Sequence, residues 1–438
     1  MQKNGTSSNY YESSTSVDND AFEVPLPDNS VTTVLHYCKK KILTPYLRFL
    51  SLMGLRPLTN EPRDVCICLR ILSGTYTLSV VLLMVLGYVL QYMACFRRDR
   101  GFCYVSLQQN GSLLLMRELE TVHERTCEGS VLFSFVVPGL LHLVAYLHLL
   151  FVLRSTDDEQ LPILMERVFL ISTNLSTGFM SQRKLVRTLW FFVICGLVWM
   201  TLSFIVVNYM MSDAGIHFKW MKKSSPIVLL SMKILLVICT LWHDVVQATV
   251  VSNYCLQAQL LTSYVQFMKE KLLQFPVQPL GWMRDIEDFK KLLNHFNDRI
   301  APSVCLLAVT DISFALSGLL WIFHLDYVDL ETLPIFGLSI LNVLLWTFIS
   351  SIPFIQASRL SNSCEVLKSV GQEARTRPYV HQDTPTVELD SVLLYTTSLK
   401  ISAKLFHLPI TGRKLCFCVT VVSIIVLTLG QCHYFISQ

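Results

Sequence analysis

Charge is scarce in this sequence. Only 16% of its 438 residues are Asp, Glu, Lys or Arg, where a soluble domain carries about 25%. With 52% hydrophobic residues, that deficit argues against a disordered chain and against a soluble enzyme of ordinary composition. Signatures of metal and cofactor chemistry are missing too. The 14 cysteines include no C-x2-C pair, so a zinc site has little support. No P-loop, G-x-S-x-G, H-E-x-x-H or EF-hand loop occurs, and no catalytic residue, cofactor or metal is expected. His324 and Asp329 fit an H-x4-D spacing, but two residues in a short loop match by chance and no companion motif follows. The first 20 residues are polar and Ser-rich without an apolar core, which argues against a cleaved signal peptide there.

Apolar sequence is what the chain has in quantity, with a mean hydropathy of +0.47. A membrane helix needs roughly 20 mainly apolar residues. Seven runs qualify, at about 71–96, 130–153, 189–211, 227–251, 303–325, 333–357 and 415–436. Five carry no ionisable Lys, Arg, Asp or Glu; the fourth holds Lys233 and Asp244, and the fifth holds Asp311. The expected fold is therefore all-α and polytopic, with seven transmembrane helices. Residues 1–64 read as a tail, whose segment 33–53 mixes apolar and basic positions as a helix at a membrane surface does. Residues 65–358 hold the first six spans. Within them, the fourth span continues unbroken until Pro276, and Ile286, Phe289, Leu292, Leu293 and Phe296 share one face of a following amphipathic helix. Residues 371–388 read as a loop within a 359–413 segment. There Leu389, Val392, Leu393, Thr396, Leu399, Ala403 and Phe406 share helical spacing, with Pro409 and Gly412 as the stop. The seventh span occupies 414–438.

Orientation follows from Lys and Arg, which concentrate in cytoplasmic loops. With the N-terminus inside, 27 of the 36 basic residues are cytoplasmic, eight are outside, and Lys233 is within a span. The C-terminus is then extracellular. All eight outer charges lie in two loops: Arg97, Arg98, Arg100, Arg117 and Arg125 in one, and Lys219, Lys222 and Lys223 in the other. Residues 161–180 are apolar enough to be mistaken for an eighth span. Glu166 and Arg167 near its middle make insertion unfavourable, so it reads as cytoplasmic or interfacial. These charges are explained by topology, and no basic nucleic-acid-binding face remains.

Seven spans, an inside N-terminus and a long helical connection between the fourth and fifth spans form a specific combination. It resembles the insect-type chemoreceptor superfamily of gustatory, gustatory-receptor-like and odorant receptors. The sequence match is concentrated in HLPITGRKLCFCVTVVSIIVLTLGQCHYF, residues 407–435. Gustatory receptors carry Thr-Tyr, five apolar residues and Gln-Phe in the last helix. Gln431 matches the Gln, whereas Ile424 and Ile425 stand at the Thr-Tyr positions and Cys432 at the Phe. The resemblance implies a homo- or hetero-tetramer in the plasma membrane, acting as a chemosensory cation channel gated by a small-molecule ligand. Each subunit would donate its seventh helix to a central pore, and residues 252–301 would belong to a cytoplasmic anchor. Gln431 would line the pore. Thr428 occupies the position of the apolar gate, which shifts closure to Leu427 or Ile424, by dewetting. The alternatives are a protein of the same fold without a pore, serving as transporter or scaffold, and a G-protein-coupled receptor, which the charge count disfavours.

The resemblance further implies a ligand pocket in the outer halves of spans two to six. Candidates are Lys233, His243 and Asp311 with Trp199, Phe204, Trp321 and Phe336. His243 and Asp311 lie at similar depth and are expected to touch, either as a sensor or as a polar clamp between helices. Lys233 is near enough to the outer edge to snorkel. Asp244 is expected nearer the cytoplasm, against water or the anchor. The aromatics serve equally as an interfacial belt. Trp282 is a candidate anchor contact. In the first outer loop, Cys103 and Cys127 are either a disulfide or two free thiols. Sequons begin at Asn4, Asn110 and Asn174, but only Asn110 is outside in this topology. Expression in glycosylating cells should therefore give a single glycoform shift that Asn110→Gln abolishes and that changes at Asn4 and Asn174 leave intact. A glycan at Asn4 would reverse the orientation.

Overall fold

The computed structural model describes residues 40, 43–57, 67–99, 101, 102, 131–155, 160–173, 178–213, 218, 225–274, 279–324, 333–376, 385–415, 418 and 422. Helices dominate. They are α1 (Thr44–Leu52), α2 (Ile67–Met93), α3 (Val137–Ser155), α4 (Gln160–Thr173), α5 (Gly178–Asp213), α6 (Pro226–Gln274), α7 (Pro279–His295), α8 (Ala301–His324), α9 (Leu333–Thr376) and α10 (Thr386–Ser398). A π-helical turn precedes α3 at Leu132–Val136, and another joins α7 to α8 at Phe296–Ile300. Two minimal antiparallel hairpins complete the described structure: Phe96–Arg97 (β1) with Gly101–Phe102 (β2), and Lys404–Leu405 (β3) with Leu408–Pro409 (β4).

Among the described residues, six helical stretches are long and apolar enough to cross a membrane, matching the first six predicted runs. Their exposed faces confirm the type of surface. Ile71, Leu78, Leu82, Val85 and Val89 on α2, and Phe191, Ile194, Val198 and Ile205 on α5, are all exposed. Such apolar stripes suit hydrocarbon, provided the backbone is satisfied within each helix. Of the seventh span, only residues 414, 415, 418 and 422 are described, all helical.

Helices α6 and α9, with 49 and 44 residues, are about 74 and 66 Å long at 1.5 Å per residue. A hydrocarbon core of about 30 Å accounts for less than half of either. Along α6 the change of surroundings is direct. Ile227, Leu230, Ile234 and Ile238 are exposed, whereas residues 253–265 are buried on every side. The projecting halves of α6 and α9 pack together, joined by α4, α7 and α10. Trp282 is fully buried there, and its indole N–H donates to the Met268 carbonyl at 3.1 Å. Ile286, Phe289, Leu293 and Phe296 are buried and Leu292 partly so, as the periodicity predicts. Residues 161–173 belong to this lobe: Leu164, Met165, Val168 and Phe169 are buried, Glu166 is exposed, and Arg167 pairs with Asp288 at 3.2 Å. Tyr395 of α10 donates to Glu287 at 2.9 Å. Burial, and that hydrogen bond to Glu287, push its phenol up to about 12, so it remains a donor at neutral pH.

Two sequence expectations need correction. The helix predicted through Phe406 stops at Ser398, and Leu399 is extended, with φ −64° and ψ 123°. Tertiary hydrogen bonds outcompete helical spacing here. Asn297 accepts from the Lys404 N–H and donates to the Ser402 carbonyl, while Ser361 Oγ does the same for the N–H and carbonyl of Ala403. The predicted loop at 371–388 also begins too early, because α9 runs on to Thr376. A Lys269–Glu373 ion pair at 3.0 Å and the burial of Val370 and Ala374 hold that extra turn.

Replacing Trp282 with Ala should lower stability by about 3–5 kcal/mol. Trp282→Phe, which keeps most of the packing but loses the indole donor, should lose about 1 kcal/mol. Thermal unfolding of the detergent-solubilised protein checks the order.

Candidate functional site

The site begins where α2 ends. Cys95 takes the left-handed conformation, φ 49°, that commonly closes a helix, and its N–H donates to the Tyr92 carbonyl at 3.1 Å. The chain then folds back as the β1–β2 hairpin, whose tip carries Arg98 and Asp99. Instead of lying in an outer aqueous loop, Arg98 is inserted among the spans. Its side chain is 8% exposed and forms an ion pair with Asp244 of α6, itself 1% exposed. Ser203 of α5 donates to the same carboxylate at 2.9 Å. The guanidinium lies over the Trp346 ring of α9, 5.1 Å from its centroid, close enough for a cation–π attraction.

The hairpin backbone is held as closely as the charge. Asn342 Nδ2 donates to the carbonyls of Arg98 and Asp99 at 3.0 and 3.3 Å, and Trp346 Nε1 donates to Arg98 O at 3.3 Å. Asp99 accepts from Arg97 at 2.7 Å and from Ser317 of α8 at 2.5 Å. Gly318 makes room, since a Cβ there would lie 2.9 Å from the Asp99 carbonyl oxygen. One short segment thus ties α5, α6, α8 and α9 together.

A second set of polar groups borders it. Gln91 Nε2 lies 3.2 Å from His243 Nδ1, and His243 Nε2 lies 3.0 Å from the Met84 carbonyl. With Gln91 Nε2 as donor, Nδ1 accepts and Nε2–H donates to the Met84 carbonyl. Tyr88 stacks on His243 at 4.3 Å, and its hydroxyl hydrogen-bonds His142 Nδ1 at 2.6 Å. Gly87 is required for this approach, because a Cβ would fall 2.6 Å from His243 Cε1. Gln247 donates to Asp311 Oδ1 at 2.6 Å. Among the groups just described, Arg98 Nε, Asp311 Oδ2 and His142 Nε2 are buried with no hydrogen-bond partner among the described residues. A cavity of about 30 Å³, lined by Tyr88, Arg98, Phe135, His142, Gln247 and Phe314, opens beside them. It has room for a water or two and would have to enlarge to admit an organic molecule. A wider apolar cavity of about 200 Å³ lies between α1, α5 and α6, lined by Tyr46, Phe49, Trp190, Leu197, Met200 and Thr249.

The sequence candidates are only partly brought together. His243 and Asp311 are both fully buried, but the expected contact between them is absent: Asp311 turns to Gln247 and His243 to Gln91 and Met84. The expectation for Asp244 is corrected too, since Arg98 reaches it inside the bundle. Trp199 is buried at the same level, donating to the Leu345 carbonyl at 3.0 Å and meeting Trp346 edge-on. Lys233, Phe204, Trp321 and Phe336 are half-buried and are not among the residues lining the Arg98 cavity. Gln431, Thr428, Leu427, Ile424, Asn110, Cys103 and Cys127 lie outside the described residues. Sequence reasoning missed Arg98. The available signal was Asp244 itself, since a carboxylate within a span needs a cation and the nearest outer charges are Arg97, Arg98 and Arg100.

Together, the long continuous fourth span, the lobe built on it and the spans converging on one buried site define an all-α, polytopic membrane fold. Solved structures share it. The olfactory receptor OR5 of Machilis hrabei superposes with a TM-score of 0.60 at 11% identity, over 90% of this chain and 98% of that one. Its complex with eugenol gives 0.61 at 10% identity, over 92% and 99%. No family model matches the sequence, and no curated protein matches it significantly.

Removing one member of a buried ion pair strands the other. Arg98→Met and Asp244→Leu should each destabilise by about 3–5 kcal/mol, and the double variant by clearly less than their sum. A thermal-unfolding double-mutant cycle measures the difference.

Proposed function

We propose that this protein is a chemosensory receptor of the insect-chemoreceptor superfamily, of gustatory type, working as a ligand-gated non-selective cation channel in the plasma membrane. The observation that carries the reading is the shared fold with an olfactory receptor along nine-tenths of this chain. That the similar receptor has been solved with eugenol supports a small organic ligand; the reading assigns this protein no enzymatic role. The N-terminus is cytoplasmic by the charge count, and Asn110 carries the glycan. Four subunits, identical or mixed, contribute their seventh helices to one pore. Gln431 presents its amide to the ion, and Leu427 or Ile424 closes the path by dewetting, with Thr428 between them and the Gln. Ligand binding in the outer bundle favours the open state by the difference in its affinity for the two states.

One feature favours a second reading, a pore-less transporter or scaffold of the same fold: Ile424, Ile425 and Cys432 stand where gustatory receptors carry Thr, Tyr and Phe. Two measurements separate the readings. Light scattering of the purified protein, with detergent subtracted, should give a particle of four subunits. After reconstitution, Gln431→Ala should change unitary conductance while leaving assembly intact. A monomer across several mild detergents, or tetramers that never conduct, would favour the second reading.

A further inference from the structure

The Asp244 site has the features of a ligand-recognition site, and the chain itself fills it. A buried carboxylate and the face of Trp346 hold the Arg98 guanidinium, and the Ser203 hydroxyl donates to the other oxygen of that carboxylate. This is the environment that a planar, delocalised cation demands. A carboxylate receives its N–H groups in the plane, and an indole accepts its face. A compact ammonium would use only the first of these. We propose that Asp244, Ser203 and Trp346 form a recognition site for an organic guanidinium or amidinium, and that Arg98 is its tethered occupant, displaced when such a ligand binds. That the site is the receptor's ligand site rests on the function proposed above.

Two observations beyond the ion pair point to exchange rather than to a permanent structural clamp. First, the fit of Arg98 is incomplete. Its Nε and the second oxygen of Asp311 are both buried without hydrogen-bond partners among the described residues. A free ligand, not constrained by the hairpin backbone, can turn its fork toward Asp311, which is held by Gln247 at the edge of the cavity that Arg98 lines. Second, a cavity continues from Arg98 between Tyr88, Phe135 and Phe314. An aryl or alkyl group on the amidinium carbon would point toward this space, which would have to enlarge to hold it. Tethering gives Arg98 the advantage of a high effective concentration. These unmade contacts are what a competitor has to set against it. Displacement would free the guanidinium from α6 and α9 at once, while the Asn342 and Ser317 hydrogen bonds keep the hairpin near.

The test uses benzamidine as the probe and neutral benzamide as its control, on full-length purified protein. Arg98→Ala vacates the site. Benzamidine should raise the melting temperature of this variant saturably at millimolar concentration, and benzamide should not. Arg98→Ala/Asp244→Asn should lose the effect. Wild type, where the tethered guanidinium competes, should bind benzamidine at least ten-fold more weakly than Arg98→Ala. If Arg98→Ala does not fold, Arg98→Gln, which fills part of the space without charge, takes its place in every comparison. Equal affinity of wild type and variant, no saturable shift, or binding that survives Asp244→Asn would overturn the proposal. These readouts do not require current. Amidinium binding that depends on Asp244, in tetramers that never conduct, would uphold the site and reject the channel. Currents from a protein whose vacated site ignores amidines would do the reverse.

Discussion

The ion pair between Arg98 and Asp244 is the constraint around which the membrane half of this protein is organised. Neither charge is tolerable alone at that depth. A buried carboxylate forfeits several kcal/mol of hydration, and the guanidinium forfeits a comparable amount. Their union requires the chain to bend back after α2, to present Arg98 from a hairpin, and to leave Gly318 small enough for the Asp99 backbone to pass. It also requires the hairpin carbonyls to be satisfied by side chains, which Asn342 and Trp346 provide. Four spans that have no hydrophobic reason to associate in lipid thereby gain a polar centre.

The lobe obeys the opposite logic. There the apolar faces of α4, α7 and α9 enclose α6 with water outside, so burial of side chains such as Trp282, Phe289 and Phe169 supplies the cohesion. Its ion pairs are half-exposed, Lys271–Asp285 at 2.9 Å and Arg167–Asp288 at 3.2 Å among them, and such pairs contribute little each. One molecule therefore uses polar adhesion where its solvent is hydrocarbon and apolar adhesion where it is water. Helix α6 passes through both regimes, with Asp244 in the first and Met268 in the second.

What could be read in the sequence was what periodicity and run length encode. The six described spans, the continuation of the fourth to the Pro276 region, and the buried face of Ile286, Phe289 and Leu293 all follow from local pattern. Trp282 was legible as an anchor contact but not by direction. The rest depends on contacts distant in the chain. Arg98 sits in a run, Arg-Arg-Asp-Arg, indistinguishable from an ordinary loop cluster, and its partners Asp244 and Trp346 are 146 and 248 residues away. The extended segment after Ser398 misled for the same reason, because its spacing is helical while its backbone is claimed by Asn297 and Ser361. His243 and Asp311 were each recognised as polar residues out of place, yet their pairing was misassigned because Gln91 and Gln247 look unremarkable in sequence.

The continuity of α6 has a mechanical side. Asp244 and Met268 are 24 residues apart on one unbroken helix, about 36 Å. A rod of that length does not absorb a tilt along its way. A rotation of about 5° around the level of Asp244 displaces Met268 by about 3 Å. Met268 is also where Trp282 is fastened. The lobe is thus geared to the buried pair: a change of angle too small to disturb helix packing beside Arg98 becomes, at the far end, a shift as large as an atom.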